Sequence, residues 1–347
     1  MELRAGALPD RTEGRASGQA EDRPERLQQV PDRDREKLAD RLSRLEAGHP
    51  SSRLDEDGTP RPPAPRLSDY ETPKPPLNDA DYAAHRDKVV AFLKESHEAT
   101  HENTTINPDK NIWSDERIVL QDEILREAYD SAAEVPCERK AIIAGGLGGA
   151  GKTTVLERVA GVDTSKYLTI NPDECKEALA RHHMLPDVPG LSPMEVSGLG
   201  HEESSYIAKR LAMRAYAEGK NVIWDITMSR PESVISRISE LRAAGYEQVD
   251  GVFIDIPVET SVARSEARHR RGHDLYLAGN GPGGRYVPPE VIRAQADPEH
   301  GTINRKAFES AKPHFDNWVI FDNSVDGRPA VVVERSDPDP KRPEAQI

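Results

Sequence analysis

The sequence predicts an α/β fold, a parallel sheet flanked by helices, and two observations carry that expectation. Short apolar runs alternate with helix-length amphipathic stretches between Ala141 and Phe321, the order that builds a parallel sheet with helices on both faces. The first of these runs, Ala141 to Ala144, enters a glycine-rich turn that exits into the helix-like Val155-Leu156-Glu157-Arg158-Val159.

That turn carries chemistry. Gly146-x4-Gly151-Lys152-Thr153 fits the phosphate-binding loop in its required strand–loop–helix context, which makes the fold class that of a P-loop NTPase. Glycines let successive backbone N–H groups point inward, and the positive end of the following helix faces the anion. The expected nucleotide-binding residues are Gly146, Leu147, Gly148, Gly149, Ala150, Gly151, Lys152, Thr153 and Thr154. Lys152 is placed to reach the β- and γ-phosphates, and the Thr153 hydroxyl to ligate Mg²⁺. The nucleotide domain has no Asn-Lys-x-Asp stretch of the guanine-specific kind, so ATP is the expected nucleotide.

The chain's remaining elements follow in order. Residues 1–76 are rich in Arg, Glu, Asp and Pro and read as a disordered N-terminal tail. Within it Leu38, Leu42 and Leu45 make a narrow apolar stripe, read as a transient helix. Residues 77–135 read as a helical N-terminal extension, with amphipathic helices over Tyr82–Ser96 and over Ser114–Ala133, the second N-capped by Ser114. The kinase-like domain is expected over 136–335, with strands at Tyr167–Ile170, Asn221–Ile226, Val249–Ile256, Trp318–Phe321 and an edge strand at Val331–Glu334. Helices are expected over Cys175–His182, Glu232–Ala244 and Val258–Arg271, with a long one over Glu202–Gly219 and two shorter ones over Glu290–Ala296 and Asn304–Lys312. Leu185–Gly200 reads as a loop, and Gly272–Val287 as a glycine-rich mobile one. Residues 336–347 read as a disordered C-terminus.

Bulk composition excludes several roles. A net charge of −14 argues against nucleic acid or a membrane surface as a main partner. The chain has two cysteines, Cys137 and Cys175, too few for a disulfide framework, which fits a reducing cytosol. No apolar stretch approaches the roughly 20 residues that span a bilayer, and the N-terminus lacks a signal-peptide core. The expected location is cytoplasmic.

In parallel sheets, ligands sit at the carboxyl ends of the strands. Asp173 follows the second strand and reads equally as a helix N-cap or as the carboxylate beside an acceptor hydroxyl. Asp225, closing the third strand, and Asp255, in the fourth, compete for the role of Mg²⁺-orienting acid. The helix after the fourth strand carries Arg264, Arg268, Arg270 and Arg271, and the next loop carries Arg285; arginines there can stabilise charge on a phosphoryl group. His182, His183 and His201 show no metal-site spacing. Cys175 reads as a packed core residue.

Taken in order, Gly145–Thr154, Asn171-Pro-Asp-Glu-Cys-Lys176, His201-Glu-Glu-Ser-Ser205, Gly219–Thr227 and Gly284-Arg-Tyr-Val-Pro288 resemble the zeta toxin family of phosphate-loop kinases, over about Ala141 to Phe321. The resemblance implies transfer of the ATP γ-phosphate to the 3′-hydroxyl of a UDP-N-acetylated amino sugar, with a sugar-nucleotide substrate and an antitoxin protein as partners. Carried over by position, it implies Asp173 as general base and Lys152 and Thr153 as holders of phosphate and Mg²⁺. It implies Arg268 and Arg285 as phosphate clamps, and Asp225 and Thr227 near metal and substrate. Glu203, with Glu202 beside it, matches a substrate-binding glutamate. One departure is Ile226, which stands where the family pattern has glycine. The alternatives are a kinase of another small-molecule hydroxyl, or a non-catalytic ATP-binding switch.

Overall fold

The structure, a computed structural model, describes residues 73–95 and 99–337. The readings made for the leucine stripe, for nearly all of the N-terminal tail and for most of the C-terminus lie outside the described residues. Helix α1 (Asp79–Glu95) and a short α2 (Thr100–Thr104) precede a small antiparallel pair, β1 (Thr105–Asn107) and β2 (Ile112–Trp113), which the sequence pattern did not predict. Helix α3 (Asp115–Asp130) starts where expected, because Ser114 accepts a hydrogen bond from the Arg117 N–H, 3.3 Å away.

Next come β3 (Lys140–Gly145), α4 (Lys152–Arg158), β4 (Leu168–Ile170), α5 (Pro172–Arg181), α6 (His201–Glu218) and β5 (Val222–Asp225). They are followed by α7 (Pro231–Ala243), β6 (Gln248–Asp255), α8 (Val258–Leu277), α9 (Pro289–Arg293), β7 (Ala296–Asp297) and β8 (Gly301–Thr302). The last elements are α10 (Ile303–Ala311), β9 (Trp318–Asp322) and β10 (Val331–Arg335). The main sheet has the order β10-β9-β6-β3-β5-β4; all its pairs are parallel except β10 with β9.

Strand β3 lies in the middle because both of its faces can be buried. Ile143 points into a core with Leu179, Ile207, Trp224, Phe253 and Phe308, while Ile142 and Ala144 point into a second core with Val155, Leu156, Val252 and Phe321. Continuous apolar strands of this kind are what a two-sided parallel sheet requires. The crossover from β3 runs outward to edge strand β4, the chain returns to β5 beside β3, and then passes to β6 on the other side. The carboxyl end of β3 is therefore flanked by those of β5 and β6, and the loop after β3 emerges between them.

Several boundaries differ from expectation, and two of the differences have a clear local reason. Helix α5 begins at Pro172, since Asn171 caps it by accepting from the Asp173 N–H at 2.9 Å and Pro172 supplies a preset φ at the first turn. Helix α8 runs on to Leu277 instead of stopping at Arg271. The glycine-rich stretch behind it, expected as a mobile loop from Gly272 onward, packs closely at Gly272, Gly283 and Gly284, while Gly279 and Gly281 stand clear of neighbours. A Cβ on Gly284 would collide with the His269 carbonyl, and Met194 N–H donates to Pro282 O at 3.1 Å.

Helix α3 is joined to the sheet domain by more than apolar contact. Ile124, Leu125 and Tyr129 enter the same core as Trp224. Beside them Arg117 grips Glu203 with two hydrogen bonds of 2.7 Å, and Gln121 donates a third at 2.8 Å. The Glu203 side chain is fully buried. Removing the cation leaves that carboxylate uncompensated, so Arg117→Ala is expected to cost about 3–5 kcal/mol in urea unfolding. The double change Arg117→Met with Glu203→Leu should recover most of it.

Candidate active site

The loop between β3 and α4 has a backbone that only glycine adopts at its critical point. Gly146 has φ +142°, and a Cβ there would run into the Ile254 carbonyl of β6. Three side chains hold the loop's carbonyls from behind. Ser261 Oγ donates to Gly148 O at 2.6 Å, Arg264 Nη1 to Gly149 O at 3.2 Å, and Asn323 Nδ2 to Ala150 O at 2.8 Å. Tying back these carbonyls, with the Ala150 N–H donating to Leu147 O at 3.1 Å, leaves other N–H groups of the loop for an anion, the arrangement of an anion-binding nest. Arg264 is itself fixed by Asp326 at 2.6 Å and by Asn323 O at 2.9 Å. It is thus a brace for the loop. Ser261 and Asn323 carry no motif, and sequence reading missed them.

Helix α4 then presents Lys152, Thr153 and Thr154 in its first turn, the two threonines exposed. Lys152 Nζ lies 3.2 Å from Asp225 Oδ1 and 3.5 Å from Gly146 O. Asp225 therefore faces the loop, and Asn171 donates to its other oxygen at 3.3 Å. Burial raises the Asp225 carboxyl above its ordinary value despite the neighbouring Lys152 cation. Its rival Asp255 is taken by Arg305, 3.0 Å away. Thr227, just beyond β5, is exposed, and its carbonyl accepts from Asn304 Nδ2 at 2.7 Å. Ile226, which stands where the family pattern has glycine, turns its side chain toward the core.

Asp173 occupies the second position of α5, so the capping role belongs to Asn171 and the Asp173 carboxylate is free for other work. Arg285 forms a close ion pair with it, and Lys176 lies 3.1 Å away. Burial pushes the carboxyl up, but Arg285, Lys176 and Lys152 together hold it below the ordinary aspartate value. Lys176, itself buried, is lowered by that burial. Arg268, one turn along α8 from Arg264, lies in the field of Arg285 and Asp173.

The two adjacent glutamates part company. Glu202 is exposed and its charge acts on Lys176, on the Asp173 side. Glu203, expected beside it as a substrate ligand, is corrected: its carboxylate is sealed inside the protein against Arg117 and Gln121 and faces α3. Cys175 is buried, its thiol pushed up to about 12 by that burial, in keeping with a packing role.

The sequence profile of the family described as Zeta toxin matches residues 126–326. The chain belongs to the zeta toxin family. Its members are kinase-like phosphotransferases. Among solved structures, the AvrRxo1-ORF1:ORF2 complex with ATP is 22% identical, covering 64% of this chain and 68% of that one at a TM-score of 0.49. A chain of the PezAT toxin–antitoxin system of Streptococcus pneumoniae is 18% identical, covering 64% and 81%, with a TM-score of 0.45. A search of curated protein sequences finds no match. No helix among the described residues is long and apolar enough to cross a membrane.

The braces of the loop make a direct expectation. Ser261→Ala and Asn323→Ala each remove one hydrogen bond worth about 0.5–1.5 kcal/mol, so each should weaken pyrophosphate binding about two- to tenfold by calorimetry. Gly146→Ala, which the backbone cannot accept, should abolish it.

Proposed function

We propose that the chain is an ATP-dependent kinase that moves the γ-phosphate of ATP to the 3′-hydroxyl of a UDP-N-acetylated amino sugar. The observation that carries this reading is the position of Asp173: an ionised carboxylate, released from capping, within the electrostatic reach of the phosphate-loop lysine. Kinases need such a carboxylate at the acceptor hydroxyl, and cations on the phosphoryl group in flight. Membership of a phosphotransferase family supports the reaction class, and the sugar nucleotide is the acceptor that best suits the motif order.

In this reading the loop N–H groups and Lys152 cradle the triphosphate, and Asp173 accepts the proton of the acceptor hydroxyl. The freed oxygen attacks the γ-phosphorus while the bond to the ADP oxygen breaks. Arg268 and Arg285 offset the negative charge on the phosphoryl oxygens, in the manner of arginine fingers. Glu202 and Thr227, exposed at the rim, are assigned to the acceptor; Glu203 is not. The catalytic unit is assigned to residues 136–335, seated on the helices of 77–135.

A Mg²⁺ ion fits the residues present. Thr153 offers an exposed hydroxyl and Asp225 a carboxylate that already faces the loop cation, and hard oxygen donors of this kind suit magnesium. When bound, the ion would neutralise phosphate charge. A separate antitoxin protein is the partner that the family membership supports, and the cytoplasm the compartment that the free cysteines support.

The test is to incubate the protein with ATP, Mg²⁺ and UDP-N-acetylglucosamine and read product masses, with Asp173→Asn alongside. The reading expects a sugar nucleotide heavier by one phosphoryl group. The variant should bind ATP within about twofold of wild type while turnover falls about 10²–10⁴-fold. Unchanged turnover in the variant would remove Asp173 from the base role. ATP consumption without that product would move the acceptor to another hydroxyl.

A further inference from the structure

Away from the phosphate loop, three histidines converge on one buried carboxylate. Glu195 sits in the 185–200 segment with a fully buried side chain. Its Oε1 lies 2.8 Å from His85 Nε2, 2.9 Å from His269 Nε2 and 3.1 Å from His273 Nδ1. Its Oε2 accepts from the Ser192 N–H at 2.8 Å. Among the described residues, the ion-pair partners of Glu195 are all histidines. His85 comes from α1, while His269 and His273 stand one turn apart on α8, so the cluster joins three segments far apart in sequence.

Hydrogen bonding accounts for only part of this cluster. Tyr82 Oη lies 2.6 Å from His269 Nδ1. A neutral His269 accepting there donates Nε2–H to Glu195, which satisfies both of its nitrogens. His273 is different. It is 96–97% buried, its Nε2 has no hydrogen-bond partner, and its Nδ1 meets only Glu195 Oε1, 3.1 Å away and poorly aligned. Its ring lies 4.1 Å from that of His85, centroid to centroid. A buried imidazole left so poorly satisfied is costly, and the lone pair of a neutral imidazole is the commonest protein ligand of a metal cation.

We propose that His85, His273 and Glu195 form a site for a divalent transition-metal cation, zinc by its chemistry, with His269 orienting the carboxylate from outside. Their ligand atoms lie within 4.8 Å of one another. Zinc bonds of 2.0–2.2 Å in tetrahedral geometry put neighbouring donors about 3.3 Å apart. Opening the 2.8 and 3.1 Å contacts to that spacing takes only a few tenths of an ångström. Imidazole and carboxylate donors suit zinc among the common cations, and the outer His269–Tyr82 pair is the second-shell support that metal sites use. The ion would fasten α1 to α8 at His273, near the loop that carries Arg285, without touching the phosphate loop.

The full-length protein, stripped with a chelator, is titrated with Zn²⁺ against a chromophoric competitor, and the Co²⁺-loaded form is read by visible absorption. The site predicts one tight equivalent and the intense bands of tetrahedral cobalt. His85→Ala and His273→Ala should each weaken zinc binding about 100-fold or more, and His269→Gln about tenfold. Because buried His273 variants can misfold, His85→Ala, at the less buried of the two histidines, decides alone, with circular dichroism and melting temperature recorded for each. A second trio, Glu123, Glu127 and His182, lies more exposed, so His182→Ala serves as the control and should leave the tight equivalent intact. Loss of that equivalent in His182→Ala, its retention in His85→Ala, or zinc uptake by wild type no stronger than by the His85→Ala/His273→Ala double variant would each overturn the proposal.

Discussion

The site depends first on a backbone constraint: the turn after β3 must keep its amide groups turned toward one point while its carbonyls are satisfied elsewhere. No single residue does this. Gly146 allows the turn to pass under the Ile254 carbonyl, and Ser261, Arg264 and Asn323 take the outward carbonyls. Two of these braces come from α8 and the third follows β9, so the turn's shape is tied to the packing of α8 and of β9 against β6. An anion site of this type is preorganised, since its donors are aimed before any ligand arrives.

Around that turn, charge is arranged in two linked groups. Lys152 lies against Asp225, and Asp173 against Arg285 and Lys176. Burial pushes both aspartates up, but their neighbouring charges answer it differently. Asp225 is raised, because Lys152 and Arg285 do not offset the loss of solvent and the repulsion of Asp173, whereas the cations around Asp173 outweigh its burial. A carboxylate that stays ionised at neutral pH is in the form that can accept a hydroxyl proton, as kinase aspartates do, though its lowered pKa makes it a weaker base. These groups also explain why α5, α6 and the Gly283–Pro288 stretch must all be in place before the site is complete: α5 supplies Asp173 and Lys176, the stretch supplies Arg285, and α6 supplies their neighbour Glu202.

Much of this was legible in the residues. The central strand, its loop and α4 were, because the pattern fixes both the residue types and the flanking elements. The sheet followed from apolar runs that only a doubly covered strand tolerates. Asp173 was ambiguous because Asp and Asn are equally good caps; Pro172, which favours the first helical position, was the signal that Asn171 takes the role. Glu202 and Glu203 could not be told apart, since neighbours on a helix point about 100° apart and only the distant Arg117 decides which faces inward. The loop braces and the histidine cluster were hidden for a similar reason. His269 and His273 show helical spacing, but Glu195 and His85 reach them only through the fold.

The central claim is that Asp173 works as a carboxylate whose proton affinity is lowered by Arg285. The pH dependence of kcat/KM for phosphoryl transfer tests it most directly. A depressed carboxyl pKa keeps the base available as pH falls, so the account predicts a rate that is flat from neutral pH down to about pH 5, with the acid limb below the ordinary aspartate value of about 3.9. Replacing Arg285 by Gln should move that limb to higher pH as well as slowing the reaction. A wild-type limb near pH 6.5, where histidine titrates, or a limb unmoved in the variant, would contradict it.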